Sequence, residues 1–247
     1  MNDNGYTPQR LAARTLGAIR MRGLRPVAGD FARWGAGAVT GLPWTLARAH
    51  GHFELDGRRY PYLYAPYKLT WLTERTVEVP VIQDLVDRQP PERVLEVGNV
   101  LSHYRAQRHI VVDRFERAPG VLNRDVLELG DLGQFDLIVA ISTLEHVGLD
   151  ERPPDPGKAL RAVHVLRRLL APGGRLVLTV PVGYNAPFDA AIRRGDVPVV
   201  RLAALRRLAG RSEWREVEPE PALRAPYDFL LYRARAVLFA CLDAARA

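Results

Sequence analysis

VLEVGNVLSHY, Val94–Tyr104, opens like a nucleotide-binding loop and then leaves that pattern. Val94–Val97 reads as a short buried strand that carries Glu96, and Gly98 follows at the turn. A phosphate-cradling loop would continue with further glycines, because a pyrophosphate must lie against backbone N–H groups at a helix N-terminus. Val100 and Ser102 stand there instead. The loop therefore suits a ligand without phosphate, and it weighs against a dinucleotide enzyme.

Downstream of this turn, apolar runs and helical patterns alternate. Strands are expected at His109–Asp113, around Val121–Leu122, at Phe135–Ile141 and at Arg175–Val180. Helices are expected at Thr76–Asp87, Gly157–Leu170 and Arg201–Leu208, and the last two strands at Trp214–Glu218 and Ala234–Ala240. The fifteen residues from Gly98 to Asp113 leave room for a crossover helix. Alternation of this kind predicts an α/β fold, a parallel sheet covered by helices on both faces.

In such folds ligands lie beyond the carboxyl ends of the strands. The marked residues fall at those ends. Glu96 and Gly98 close the first strand, Asp113 the second, Asp125 follows the third, and Ser142-Thr143-Leu144-Glu145-His146 follows the fourth. A carboxylate at the tip of the second strand can accept hydrogen bonds from both ribose hydroxyls. Asp125, with the N–H of Val126 beside it, is placed to read an adenine edge. Two such acids together point to an adenosine ligand. Each residue also has a plainer reading: Gly98 as an ordinary turn, the aspartates as helix caps, His146 as a satisfied core histidine.

The stretches VLEVGN, HIVVDRFE, LNRDVLEL, FDLIVAISTLEHVG and LRRLLAPGGRLVLTVPVG resemble the class I S-adenosylmethionine-dependent methyltransferases over about Val94 to Gly183. The resemblance implies a Rossmann-like seven-stranded sheet, order 3-2-1-4-5-7-6, with an antiparallel last strand. It implies S-adenosylmethionine as cofactor and S-adenosylhomocysteine as product. Gly98 would then lie under the methionine end, with Glu96, Asn99, Ser102 and Ser142 around it, Asp113 and Arg114 at the ribose, and Asp125 and Val126 at the adenine. His146 is the candidate general base, oriented by Glu145. The same pair as Mg²⁺ ligands is a weaker alternative, because a hard cation wants more carboxylates than the sequence offers there.

Residues 1–75 are read as an appendage and 76–247 as the cofactor-binding domain. The first 50 residues hold seven arginines and two aspartates, so they carry +5 of the net +7. Residues 8–22 predict a short amphipathic helix that packs on the main domain, with contact to a membrane surface as the alternative. Irregular structure is expected from there to Gly51. Asp56-Gly57 marks a hairpin turn. FELDGRRYPYLYAPYKLTW, residues 53–71, holds four tyrosines and a tryptophan. It serves either as an aromatic cluster on the core or as a substrate wall that includes Tyr67 and Trp71. Arg75, Tyr184 and Asn185 complete the candidate acceptor contacts, with Asp189 nearby.

The acceptor expected is a small molecule or glycan, methylated at a sugar hydroxyl. That expectation rests on the likeness of FELDGRRYPY and TERTVEVP to a narrower group associated with surface polysaccharides and sugar-bearing natural products. A noncatalytic adenosine-binding module is the competing reading, and methylation of another small molecule is a third. Nucleic acid is not expected as a partner, because basic residues and aromatics are too little interleaved. A single cysteine, Cys241, and the lack of a long apolar run fit the cytoplasm. The sequence leaves the oligomeric state open, a dimer included.

Overall fold

The computed structural model describes residues 51–208 and 213–244, together with scattered positions between 12 and 36. Val94–Val97 forms β3, and all four residues are buried. Burying a valine or leucine side chain stabilises by about 1.5–3 kcal/mol. Three such positions in Val94, Leu95 and Val97 are therefore a strong local reason for a central strand. Ile110–Val112 (β4) and Phe135–Ile141 (β6) flank it, both in parallel. Val121–Leu122 (β5) and Leu170–Pro181 (β7) extend the sheet on either side.

Beyond β7 the sheet turns antiparallel. Ala236–Asp243 (β10) lies between β7 and Arg201–Arg207 (β8), antiparallel to both. Trp214–Val217 (β9) pairs outside β8. The observed order is β5-β4-β3-β6-β7-β10-β8-β9, eight strands where seven were expected. The extra strand comes from Arg201–Leu208, read in the sequence as a helix. Alanine, leucine and arginine are strong helix formers, but here the long edge of β10 decides. Ala204 joins the core on one face of the sheet while Ala203 and Leu205 join the cluster on the other, the alternation that a strand requires.

Arg75–Val86 (α1) lies on one face, with Val79, Ile82 and Val86 packed on Val94, Val139 and Ile141. Lys158–Arg168 (α2), Ala186–Arg194 (α3) and the short Pro219–Ala222 (α4) share the core on the opposite face. The expected crossover helix between β3 and β4 is absent: the segment holds a single 3-10 turn, Leu101–His103. Helix α3 was not expected, although its signals are local. Asn185 accepts from Phe188 N–H at 3.0 Å at the start, and Gly195 ends the helix at φ 80°.

The turn at Asp56-Gly57 joins His52–Leu55 (β1) to Arg58–Pro61 (β2) as an antiparallel hairpin. Phe53, Leu55 and Tyr60 are buried against Val77, Leu205 and Trp214, so this end of the aromatic segment packs on the sheet. The described positions between 12 and 32 are helical apart from Gly23, including 24–25 and 27–32, where irregular structure was expected. Ile19, Val27 and Phe31 pack on Leu230 and Leu231. The rest of the expected 8–22 helix, and residues 37–50, lie outside the described residues. Among the described residues no helix is long and apolar enough to cross a membrane.

Candidate functional site

The carboxyl ends of β3, β4, β6 and β7 form the edge where the sequence placed its marked residues. Gly98 leaves β3 at φ 87° and donates its N–H to Val112 O at 2.7 Å. A Cβ at that position would overlap the Thr143 hydroxyl, so the loops after β3 and β6 touch because residue 98 has no side chain. Asp113, past the end of β4, orders the same turn. One oxygen accepts from Phe115 N–H at 2.8 Å and Glu116 N–H at 2.7 Å, and the other from Asn99 N–H at 3.1 Å. A carboxylate has about four acceptor positions, so one remains for a ligand hydroxyl. Asn99 gives its amide N–H to Glu116 at 2.6 Å and receives the Ser102 hydroxyl. Glu116, which sequence reasoning missed, also meets His103 at 3.0 Å; its only signal was an acid three residues after Asp113. Tyr67 stacks on His103 with centroids 4.1 Å apart.

Several expected cofactor contacts face inward instead. Glu96 is fully buried, accepts from Val100 and Leu101 N–H at 2.8 and 2.9 Å, and meets His109 at 2.7 Å. It is the brace of the loop, not a ligand contact. Asp125 lies 2.6 Å from Lys158 Nζ and 2.7 Å from Arg114, and it caps the next 3-10 turn through Leu127 N–H. Burial pushes its carboxyl up, but the Leu127 N–H, Lys158 and Arg114 outweigh that and hold it below the usual range. Lys158, Arg114 and the Leu127 N–H take three of its acceptor positions, as three donors do at Asp113, which leaves one on Oδ1 for an adenine amino group. Arg114 is shared with Glu151 at 2.6 Å, and Val126 is buried in the core. Ser142 is buried, with its hydroxyl on Glu78.

The acceptor candidates divide in the same way. Arg75 donates to Glu78 and to Ile141 O, both at 3.0 Å. Trp71 is buried at 4% exposure, and Asn185 caps α3 while donating to Glu145 O at 2.8 Å. Asp189 accepts from Gly183 N–H at 2.7 Å, and burial pushes its carboxyl up to about 6.

Tyr184 remains at the edge, beside His146. Their ring centroids are 4.5 Å apart. His146 Nδ1 lies 2.6 Å from Asp150, whereas Nε2 is 3.7 Å from Glu145, beyond hydrogen-bonding reach. Asp150, not Glu145, therefore orients the imidazole. An ionised Asp150 can only accept, so Nδ1 carries a proton, and in the neutral imidazole Nε2 is the nitrogen with the lone pair. The Tyr184 hydroxyl donates to the same carboxylate at 2.8 Å and lies 2.8 Å from the Tyr232 hydroxyl. Tyr227, Phe229 and Tyr232 surround Tyr184 with centroids 5.1, 5.7 and 5.7 Å from it, a wall with no clear periodic signal in the sequence. Glu145 is 1% exposed and neither carboxylate oxygen has a hydrogen-bond partner. Burial, helped by Glu78 and Glu74, outweighs its own backbone N–H and Arg75 and holds its carboxyl well above the usual range. Among the described residues no three His, Cys, Asp or Glu side chains converge as a metal site.

No family model matches the sequence, and no curated protein matches it. Among solved structures the chain is similar to the N-methyltransferase NodS from Bradyrhizobium japonicum WM9 in complex with S-adenosyl-L-homocysteine. Identity is 16%, 70% of this chain and 88% of that one are covered, and the TM-score is 0.42. It is similar to the sugar N-methyltransferase KedS8 from Streptoalloteichus sp ATCC 53650 (13%, 74% and 94%, 0.35). It is also similar to magnesium protoporphyrin IX methyltransferase ChlM from Synechocystis PCC 6803 with bound SAM (13%, 83% and 93%, 0.36). Overlaps of this size carry nothing about substrate or chemistry.

Proposed function

We propose that the chain is an S-adenosylmethionine-dependent methyltransferase acting on a small-molecule acceptor. The observation that carries this reading is the turn at Gly98. A residue without a side chain sits between the tips of β3 and β6, next to a carboxylate at the tip of β4 that keeps one acceptor position. Open α/β sheets bind ligands there, and a ribose hydroxyl fits the remaining position on Asp113. The site fits a nucleoside at Asp113, and Asp125, tied to Lys158 and Arg114, keeps one acceptor position for the adenine.

When bound, S-adenosylmethionine supplies an activated methyl group for in-line displacement. The chain then has to orient the acceptor and take its proton. His146, with Nδ1 held by Asp150, presents Nε2 as the base, and the tyrosines around Tyr184 form a wall for a flat or ring-shaped acceptor. A sugar hydroxyl is the finer part of the proposal. In the same reading residues 1–75 serve the acceptor and residues 76–247 hold the cofactor. The missing glycines after Gly98 are the feature that favours a second reading, a module that binds the cofactor or adenosine without turnover.

Calorimetry with S-adenosylhomocysteine tests the first step. The wild type should bind, and Asp113→Ala should bind about tenfold more weakly or worse, the loss of about one charge-assisted hydrogen bond. Unchanged affinity in the variant removes the ribose assignment. His146→Ala should lower turnover by about a hundredfold with cofactor affinity kept. Binding without turnover on a panel of sugars would favour the module.

A further inference from the structure

The least satisfied group in the described molecule is a carboxylate, Glu145. It is 1% exposed, and both of its oxygens are buried without a partner. Buried polar groups are nearly always paired, and a lone buried carboxylate is costly. Protonation alone does not resolve this, because the acid hydrogen would in turn lack an acceptor. The charge of Arg75 lowers the pKa of Glu145, but burial outweighs it. Glu74 and Glu78 add negative charge beside Glu145, and each raises its pKa further. Arg75, the cation that faces them, is engaged by Glu78 and Ile141 O. Glu74 is held by Ala234 N–H at 2.9 Å.

The surroundings narrow the missing partner. His146 Nε2 stands 3.7 Å from Glu145, and the imidazole lies against Tyr184 at 4.5 Å. Tyr227 follows at 5.1 Å from Tyr184, and its phenol is pushed up first by burial and then by Glu74, with Glu145 also contributing. An unpaired carboxylate among further acids, 3.7 Å from an imidazole that itself lies against a tyrosine ring, suits an organic cation: the carboxylate accepts its N–H groups and the ring face attracts its charge. We propose that Glu145 seats a protonated amine of a bound ligand, with Tyr184 and Tyr227 as its aromatic flank. Two molecules can bring that amine, the acceptor or the amino-acid end of the cofactor. The inference rests on the methyltransferase reading only for the second source.

Calorimetry on the full chain separates these outcomes, with benzylamine against benzyl alcohol as one pair of probes and S-adenosylhomocysteine against 5′-methylthioadenosine as the other. The second member of each pair lacks the amine. If the acceptor brings the amine, the wild type prefers benzylamine by about tenfold or more and Glu145→Gln abolishes the preference. If the cofactor brings it, Glu145→Gln weakens S-adenosylhomocysteine by a similar factor and leaves 5′-methylthioadenosine unchanged. The idea is overturned if the wild type binds the two benzyl probes alike and the variant binds S-adenosylhomocysteine as the wild type does. Should Glu145→Gln fail to fold, the wild type decides alone through benzylamine against benzyl alcohol and S-adenosylhomocysteine against its deaminated analogue that keeps the carboxylate: a preference for the amine in either supports the seat, and none in both overturns it. A wild type that prefers benzylamine yet ignores both nucleosides would retain the amine seat and refute the methyltransferase.

Discussion

Asp189 gives the sharpest test of the electrostatics near the site. Its carboxyl is 5% exposed, with one oxygen on Gly183 N–H at 2.7 Å and the other unpartnered. Burial raises it from 3.8 to about 6, against the Gly183 bond and the charge of Arg193. The folded pKa lies above the unfolded one, so the folded state binds the proton more tightly. The stabilisation this gives is complete below the unfolded pKa and is lost as pH rises through the folded one. The difference between the folded and unfolded values corresponds to about 3 kcal/mol in all, of which about 2 kcal/mol falls between pH 4.5 and 7.5.

Asp189→Asn keeps an oxygen for Gly183 N–H and cannot ionise. Constant costs of the amide, such as a buried N–H without a partner, do not vary with pH. The difference in unfolding free energy between variant and wild type should therefore move by about 2 kcal/mol in the variant's favour from pH 4.5 to pH 7.5. Urea unfolding followed by circular dichroism at four or five pH values measures it. A difference that stays flat over this window, or moves the other way, refutes the assignment of a raised pKa to Asp189.

Gly98→Ala should cost about 1–2 kcal/mol from the positive φ alone, and more from overlap with Thr143. A melting temperature lowered by about 3–8 °C would register this, and the loss should shrink in a Thr143→Ala background. A Gly98→Ala protein that melts like the wild type would remove the close approach of the two loops. Glu96→Gln should destabilise by about 2–4 kcal/mol, because an amide cannot serve Val100, Leu101 and His109 together without burying its own N–H groups. Denaturant titration at neutral pH checks this, and a change under about 0.5 kcal/mol, the size of an ordinary surface substitution, contradicts it.

The sequence by itself determined the strands whose burial is continuous. Val94–Val97 and Phe135–Ile141 are mostly apolar runs, each with one carboxylate, and they lie where the pattern puts them. The periodicity that sets a strand or a helix is a property of neighbouring residues, so it survives without the rest of the chain. It also put Gly98 and Asp113 beyond the ends of their strands, at one edge of the sheet. Only the tertiary structure decided what Arg201–Arg207 becomes, since a run of alanine, leucine and arginine satisfies a helix until β10 offers it a row of hydrogen bonds. Partner choice was equally out of reach. Asp125 meets a lysine 33 positions away, His146 is held by Asp150 instead of its neighbour Glu145, and Glu145 is left unpaired. A carboxylate bonds whatever donor folding brings within about 3 Å, and that distance depends on the packing of the whole chain.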